Sequence, residues 1–357
     1  MAQPKTIIMG GGGTGGHVIP AIAVAKQLVL RGHTPVFIGT RTGFEAKLVP
    51  SSGFVLEYIQ IGGLKRVGAA QTFRTFRQLP LSVFQVFGMF DRHRPAAIFS
   101  MGGYVAGPVV LAGLIRRLPI VVLEPNAMPG VTNRRIGRFV SRALLNFPEA
   151  ARFFPPGRSE VTGVPIRQEF FDISPKPREA VFTILITGGS QGSRTLNEAV
   201  REAWPLFQNA AFPVRLLHQT GAVAYQDFSN GFAQTDLQGE ILPFFDNMPA
   251  AFARADLIVS RSGSTVVEIA AAGKPSILVP FPSAADQHQL RNAEALARAN
   301  AAVLVLDREM NGRRFFEEVA KLAADPQRLD RMGEQARAFA HPHAAERAAE
   351  ILDQVSR

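Results

Sequence analysis

The sequence opens with a cluster of glycines that could bring a bare backbone close to an anion. Residues 6–20 read TIIMGGGGTGGHVIP, so that an apolar run passes into six glycines and then His17. Gly10, Gly12 and Gly15 match the pattern G-x-G-x-x-G of dinucleotide-binding folds. The acidic residue that this fingerprint expects after the second strand is missing. We therefore predict an anion site at a helix N-terminus; the alternative, a structural tight turn, would need only one or two glycines.

A second glycine loop follows a later predicted strand. Residues 187–199 read TGGSQGSRTLNEA, in which Ser190, Gln191 and Ser193 carry polar groups suited to phosphate oxygens. The Walker pattern G-x-x-x-x-G-K-[ST] occurs nowhere in the chain, which argues against an NTPase. The second loop therefore repeats the first and predicts a further anion site.

Two more polar loops follow downstream. Ser264 and Thr265 stand between a predicted strand and a predicted helix, and Glu268 lies one turn into that helix. A carboxylate there could accept both hydroxyls of a ribose, or it could serve only the helix dipole. Gln289 belongs to the next loop, PFPSAADQHQLRNA. Because loops after parallel strands gather at one sheet edge, these residues predict a nucleotide-sugar pocket.

The elements that must position these loops alternate along the chain. Apolar runs such as TIIM, TPVFIG, AAIFS and PIVVLEP predict buried parallel strands between helices. After residue 180 the pattern restarts with VFTILITGGSQGSRTLNEAVREAW. The sequence thus predicts an α/β protein of two doubly wound, Rossmann-like domains facing a cleft. We expect an N-terminal domain over residues 1–163, a C-terminal domain over residues 164–340, and a final helix at 341–357 that packs back on the first domain.

Composition narrows the class of protein. Of the 357 residues, 46% are hydrophobic and 19% are charged, as in a folded α/β enzyme. The chain has no cysteine, which excludes disulfides and thiolate metal sites. Its longest nearly apolar stretch, residues 103–115, is shorter than the roughly 20 residues that span a bilayer. The formal net charge of +10 favours a polyanionic partner or reflects solubility alone.

The glycine loops belong to a longer series of motifs. In chain order these are GGTGGHVIPAIAVA, SMGGYVAGP, EPNAMPGVTN, TGGSQGSRTLN and EIAAAGKPSILVPFP…DQHQLRNA. Together they resemble the MurG family, the bacterial transferases that add N-acetylglucosamine to the lipid-linked muramyl-pentapeptide of peptidoglycan synthesis. The resemblance covers most of the chain. It implies the glycosyltransferase B fold, UDP-N-acetylglucosamine as donor, lipid I as acceptor, and a peripheral position at the cytoplasmic face of the cell membrane.

The resemblance also implies roles for single residues. Those expected to contact the donor are Thr14, Gly15, Gly16, His17, Asn126, Arg167, Ser190, Phe245, Ser264, Thr265, Glu268 and Gln289. Phe245 would present its backbone to uracil, Glu268 would hold the ribose and Gln289 would read the sugar hydroxyls. The chain departs from the family where Pro125 replaces a glutamine and Val164 replaces an asparagine. The loop before Glu268 is also one residue shorter than in the family.

The implied reaction is an inverting transfer. An acceptor hydroxyl attacks the anomeric carbon in line, UDP departs, and the configuration changes from α to β. The D-x-D motif of metal-dependent transferases is missing, so we expect helix N-termini and Arg167 to stabilise the leaving diphosphate without metal or cofactor. His17 is the expected base, because imidazole titrates near neutral pH. Glu124 is the rival base, and a purely substrate-binding role for His17 stays open.

Aromatic and basic residues alternate over residues 66–95, where Pro80 predicts a break between two short amphipathic helices. Such a pattern suits contact with an anionic membrane; an ordinary core-packing helix is the alternative. Since the implied acceptor lies in a membrane, we favour membrane contact. The phenylalanines expected to make it are Phe73, Phe76, Phe84 and Phe87. Nucleic acid is not an expected partner, because no recognised binding motif accompanies the basic surface.

Two other functions stay open from the residues alone. One is a glycosyltransferase or sugar-nucleotide epimerase of the same fold that acts on a soluble substrate. The other is a catalytically silent nucleotide-binding module. The joint presence of His17, both glycine loops and Glu268 disfavours the silent module.

Overall fold

The chain folds into two compact units, each built on a parallel sheet. The computed structural model describes residues 3–12, 15–62 and 69–356, with the side chains of residues 69–77, Tyr104 and Ala285 left out. The first unit comprises Met1–Ile166 together with His343–Arg357, and the second comprises Arg167–Pro342.

The first unit contains, within the described residues, seven parallel strands in the order β3-β2-β1-β4-β5-β6-β7. They are β1 (Thr6–Gly11), β2 (Thr34–Gly39), β3 (Val55–Tyr58), β4 (Ala97–Gly102), β5 (Ile120–Glu124), β6 (Arg142–Leu145) and β7 (Ser159–Val161). Strands β4 and β5 are buried along their whole length, because helices cover both faces of a parallel sheet. From β1 the chain goes to β2 and β3 on one side, and it then returns to form β4 on the other side of β1. This creates a topological switch point between β1 and β4, beside the first glycine loop.

The first helices of the chain cover this sheet. They are α1 (Gly15–Leu30), α2 (Glu45–Ser51), α3 (Ala69–His93), α4 (Gly103–Ile115) and α5 (Val131–Ile136). The expected break at Pro80 is wrong, because α3 runs through this proline as a single helix. An interior proline removes one helical hydrogen bond and costs about 3 kcal/mol. Beyond Pro80 the helix buries Val83, Val86 and Phe90 in the core, and this packing offsets the cost.

The second unit repeats the design. Its described strands lie in the order β10-β9-β8-β11-β12-β13, all parallel. They are β8 (Phe182–Thr187), β9 (Val214–Gln219), β10 (Gln238–Leu242), β11 (Leu257–Ser260), β12 (Ser276–Leu278) and β13 (Val303–Leu304). The helices are α6 (Arg194–Gln208), α7 (Tyr225–Phe232), α8 (Met248–Arg254), α9 (Thr265–Ala272), α10 (His288–Arg298), α11 (Gly312–Ala323) and α12 (Pro326–Arg337). The predicted pair of doubly wound, Rossmann-like domains is confirmed.

The last helix, α13 (Ala344–Val355), follows the second unit along the chain but packs in the first, against α1. Ala348, Ala349 and Leu352 are buried there. The small alanine side chains let the two helices approach closely. Charged contacts add to the packing: the Arg347 guanidinium donates to both carboxylate oxygens of Glu160 at 2.6 and 3.0 Å.

If α13 belongs to the core of the first unit, Leu352→Ala should destabilise the protein. Loss of a buried leucine typically costs about 2–5 kcal/mol, and each kcal/mol lowers the Tm of a domain of this size by roughly 2–4 °C. Thermal unfolding followed by far-UV circular dichroism measures the shift. Gln354→Ala, an exposed position of the same helix, is the control, and equal Tm values for the two variants would contradict the packing.

Candidate active site

The first glycine loop leads from β1 into the N-terminus of α1. Strand β1 ends at Gly11 and α1 begins at Gly15, so that Gly15, Gly16 and His17 form the first turn of the helix. The N–H groups of a first turn have no partner inside the helix, and the helix dipole adds partial positive charge. His17 is half-buried. Thr14 lies outside the described residues.

The junction between β4 and α4, at Gly102 and Gly103, passes directly over this turn. Gly102 and Gly103 have φ values of 75° and 79°, which side-chain-bearing residues rarely adopt. A Cβ on Gly103 would lie 3.4 Å from the carbonyl oxygen of Gly12 and 3.8 Å from His17 Nδ1. The paired glycines of SMGGY therefore let the chain pass close to both the first glycine loop and the imidazole.

The buried carboxylate of Glu45 lies against the first glycine loop at Gly12. Glu45, the first residue of α2, has no solvent exposure, and its Oε1 accepts hydrogen bonds from Thr40 N at 2.9 Å and Thr40 Oγ1 at 2.8 Å. A Cβ on Gly12 or Gly39 would lie 2.5 Å from the Glu45 side chain, and one on Gly43 would collide with its carboxylate. The three glycines thus make the space that Glu45 occupies. Glu45 was not predicted from the sequence, where the acid that follows the turn TRTGF could have identified it.

Glu124 holds the loop after β5. It is 1% exposed. Its Oε1 accepts hydrogen bonds from the backbone N and the Nδ2 of Asn126, both at 3.0 Å, and its Oε2 accepts from Gly130 N at 3.1 Å and Asn133 Nδ2 at 2.9 Å. Burial raises the pKa of Glu124, while these hydrogen bonds oppose the rise. Its carboxylate faces its own loop and α5, and it orients Asn126.

The second glycine loop connects β8 to α6. Gly189 and Gly192 have φ values of 87° and 74°, so the turn needs glycine at both positions. The Ser193 hydroxyl accepts a hydrogen bond from Leu196 N at 3.3 Å and caps α6. Ser193 therefore serves as the helix cap, and a phosphate contact by its O–H stays a prediction. Ser190 is exposed at the tip of the loop, where a ligand could reach its hydroxyl.

Glu268 and Arg167 influence each other in the second unit. Helix α9 begins at Thr265 with the exposed Ser264 as its N-cap, whose side chain makes no capping hydrogen bond. Glu268 is half-buried in the first turn; burial raises its pKa to about 7, and the positive charge of Arg167 partly opposes the rise. The exposed Arg167 guanidinium stacks 5.0 Å above the ring of Phe170. A carboxylate whose charge is poorly compensated is a candidate for ligand binding.

Gln289 is the second residue of α10. Its side-chain Oε1 accepts a hydrogen bond from Phe281 N at 2.9 Å, and its backbone carbonyl oxygen accepts one from Ser262 Oγ at 2.8 Å. A Cβ on Gly263 would lie 3.5 Å from Gln289 Nε2. The contact with Phe281 orients the amide so that Nε2 points towards Gly263, as a donor for a ligand hydroxyl.

Phe245 follows β10 with its ring buried. Its backbone N–H donates to Gln219 Oε1 at 3.0 Å, so this N–H is not available to a base. Of the Phe245 backbone, only the carbonyl oxygen therefore remains for the expected contact with uracil. Gln219 is a second residue that the sequence analysis missed, because nothing in the sequence of β9 links it to Phe245.

The aromatic residues of α3 differ in their surroundings. Phe84 is 76% exposed, beside the half-exposed Leu81. Phe87 packs partly against the core of the first unit, with the Arg116 guanidinium 5.3 Å above its ring. Phe87 is therefore partly engaged by the core, and its expected contact with a membrane stays a prediction. The side chains of Phe73 and Phe76 lie outside the described part of the structure. Among the described residues, no helix combines the length and the apolar character that crossing a bilayer requires.

The expected site residues lie at the carboxyl edges of the two sheets. In the first unit the described ones follow β1 and β5. In the second unit they follow β8, β10, β11 and β12, except for Arg167, which precedes β8. Loops at this edge of a parallel sheet are the usual ligand site of doubly wound folds. The arrangement can hold an anion at helix N-termini and sugar hydroxyls on Glu268 and Gln289.

Comparison with known proteins agrees with this geometry. Residues 7–145 match the glycosyltransferase family 28 N-terminal domain, and residues 183–352 match the family 28 C-terminal domain. A UDP-N-acetylglucosamine–N-acetylmuramyl-(pentapeptide) pyrophosphoryl-undecaprenol N-acetylglucosamine transferase of Solibacter usitatus is 59% identical over 99% of this chain and 96% of the relative. The chain belongs to the MurG family of glycosyltransferases.

Solved structures agree at the level of the fold. A crystal structure of MurG from Acinetobacter baumannii matches with a TM-score of 0.82 and 31% identity, over 98% of this chain and 100% of that chain. A crystal structure of a UDP-N-acetylglucosamine 2-epimerase matches with a TM-score of 0.67 over 99% of this chain and 97% of that one. At 11% identity, the epimerase shares the fold alone.

Proposed function

We propose that the chain transfers N-acetylglucosamine from UDP-N-acetylglucosamine to the muramyl 4-hydroxyl of lipid I, with inversion, and so forms lipid II in peptidoglycan synthesis. The observation that carries this proposal is the 59% identity, over almost the whole of both chains, to a relative named for this transfer. The epimerase alternative has only a shared fold to support it. The donor is anionic and the site offers helix N-termini, which supports the proposal further.

In the second unit, the proposed donor site divides the nucleotide among three loops. The diphosphate lies at Ser190 and the N-terminus of α9, the ribose hydroxyls donate to Glu268, and uracil N3–H donates to the Phe245 carbonyl oxygen. Gln289 donates to a sugar hydroxyl, because its Oε1 is already engaged by Phe281 N. Arg167 and the helix N-termini stabilise the charge that develops on the leaving UDP.

In the first unit, His17 is the proposed base. It lies in the first turn of α1 and is half-buried. Glu124 is less suited to this role, because three hydrogen bonds from its own loop and one from Asn133 of α5 occupy its two oxygens. Glu124 instead holds Asn126. Gly15 and Gly16 contact the donor through their backbone N–H groups in this proposal, and no metal or cofactor takes part.

The experiment that tests the function supplies UDP-N-acetylglucosamine labelled in the sugar together with lipid I in vesicles. We expect UDP release that requires lipid I, and a lipid-linked disaccharide product with a β linkage. Transfer to a soluble acceptor, or interconversion of the labelled sugar nucleotide without lipid I, would contradict the proposal and favour the alternatives.

Loss of the base should reduce the rate of the chemical step. We expect His17→Ala to lower kcat by at least about a hundredfold with nearly normal UDP affinity, since general-base loss typically costs about 10²–10⁴ in rate. Steady-state kinetics with lipid I and calorimetry with UDP measure the two quantities.

Glu124→Gln is the comparison for His17→Ala. Because Glu124 positions its loop, this variant is expected to raise KM more than it lowers kcat. A His17→Ala enzyme with normal kcat, beside a Glu124→Gln enzyme that has lost it, would move the base to Glu124.

Glu268 should make UDP binding depend on pH. The ionised carboxylate accepts the ribose hydroxyls, and burial raises the pKa of Glu268 to about 7. Below this pKa a proton must leave before UDP binds, so affinity should rise between about pH 6 and 8 and level off above. Calorimetry should show a smaller rise for Glu268→Gln, and for Glu268→Ala a loss of at least about 1.5–3 kcal/mol at pH 8.

The exposed Glu198→Ala on α6 is the control for these variants, because Glu198 pairs with Arg194 at the surface. Unchanged UDP affinity in a folded Glu268→Ala protein would remove Glu268 from the ribose site.

We infer that the exposed apolar residues of α3 contact an anionic membrane at the cytoplasmic face. Phe84→Ser should weaken binding to phosphatidylglycerol vesicles and leave UDP affinity and Tm unchanged, because the side chain is 76% exposed. High salt should weaken binding further. Val223→Ser removes a fully exposed apolar side chain from the second unit and is the control. Equal vesicle binding by the two variants would exclude Phe84 from the contact.

A further inference from the structure

Gln219 joins two segments of the second unit that are far apart in sequence. It is the last residue of β9 and is 1% exposed. Its Nε2 donates to the Gly189 carbonyl oxygen at 2.9 Å and to Thr187 Oγ1 at 3.2 Å. Its Oε1 accepts from Phe245 N at 3.0 Å. One side-chain amide therefore spans the second glycine loop and the segment after β10.

The partners of Gln219 fix the orientation of its amide. The Gly189 carbonyl oxygen can only accept and the Phe245 N–H can only donate, so the amide nitrogen must face the loop and the amide oxygen must face Phe245. A glutamate could keep the contact with Phe245 N, but it would place a carboxylate oxygen against the Gly189 carbonyl. A methionine of similar length would leave both backbone groups without this partner.

Further hydrogen bonds hold the second glycine loop at Gly189. The Gly189 carbonyl oxygen also accepts from Gly192 N at 3.0 Å, and Gly189 N donates to Thr187 Oγ1 at 3.1 Å. A Cβ on Gly192 would collide with the carbonyl oxygen of Thr220, the residue after Gln219. The end of β9 therefore determines where the loop lies, and the Gln219 amide extends this constraint to Phe245.

We propose that Gln219 is a positioning residue for donor binding. Its side chain sets the distance between the diphosphate-binding loop and the uracil-binding segment. This inference rests on the proposed donor site. UDP must reach both segments at once. Uridine needs the base segment and Glu268 but not the loop, and pyrophosphate needs the loop and the N-terminus of α9 but not the base segment. A change at Gln219 should therefore reduce the affinity for UDP far more than the affinity for either fragment.

The test compares UDP, uridine and inorganic pyrophosphate as ligands of the full-length protein by calorimetry or by competition. We expect Gln219→Met and Gln219→Glu to weaken UDP binding by about tenfold or more, as expected for two or three lost hydrogen bonds. Uridine and pyrophosphate should each weaken by less than about threefold, because each ligand needs only one of the two segments. Thr183→Val, a buried position at the opposite end of the same sheet, is the control and should change none of the three affinities.

Each outcome has a distinct meaning. UDP affinity within about threefold of wild type in either variant would overturn the inference, as would a parallel loss for all three ligands, which indicates general disruption. If the variants do not fold, hydrogen exchange in the wild-type protein decides: the Phe245 amide should exchange slowly without ligand, and fast exchange would overturn the inference. Failure of wild type to bind UDP would overturn the proposed function itself.

Discussion

Both candidate sites depend on buried polar side chains that hold glycine-rich backbone in place. Glycine loops let a ligand approach closely, but they are conformationally free unless other groups fix them. Glu45 fills the space beneath the first loop, Glu124 collects the N–H groups after β5, and Gln219 holds the second loop. Glu45 is buried and hydrogen-bonded to Thr40. Glu124 and Gln219 are buried and hydrogen-bonded to their loops, so a shift of either loop would leave a buried polar group without a partner, which is costly.

The parallel sheets explain why these supports lie where they do. Every loop that carries a proposed donor contact leaves the carboxyl end of a strand, and most lead into a helix N-terminus. Such an edge collects partial positive charge for a diphosphate. Burial of its side chain raises the pKa of Glu268 to about 7, which leaves a carboxylate whose ionised form is stabilised by hydrogen bonds from hydroxyl groups.

The sequence predicted the features that are local along the chain. Strands buried on both faces appear as apolar runs, and glycine turns mark their carboxyl ends, so both sheets and both loops were predictable. Supports formed by distant residues were not: Gln219 meets Phe245 across 26 positions. Tertiary packing also overrode local rules, since α3 continues through Pro80 and Phe87 faces Arg116. Ser193 caps α6, a role that the sequence did not separate from phosphate binding because both roles require the same residue type.

The central claim is that the carboxyl edge of the second sheet binds the nucleotide of the donor. A crystal structure of the protein with UDP tests it most directly. The account predicts the diphosphate beside Ser190 and the N-terminus of α9, both ribose hydroxyls within hydrogen-bond distance of Glu268, and uracil against the Phe245 carbonyl oxygen. UDP bound at any other place in the second unit, or with its ribose away from Glu268, would contradict the account.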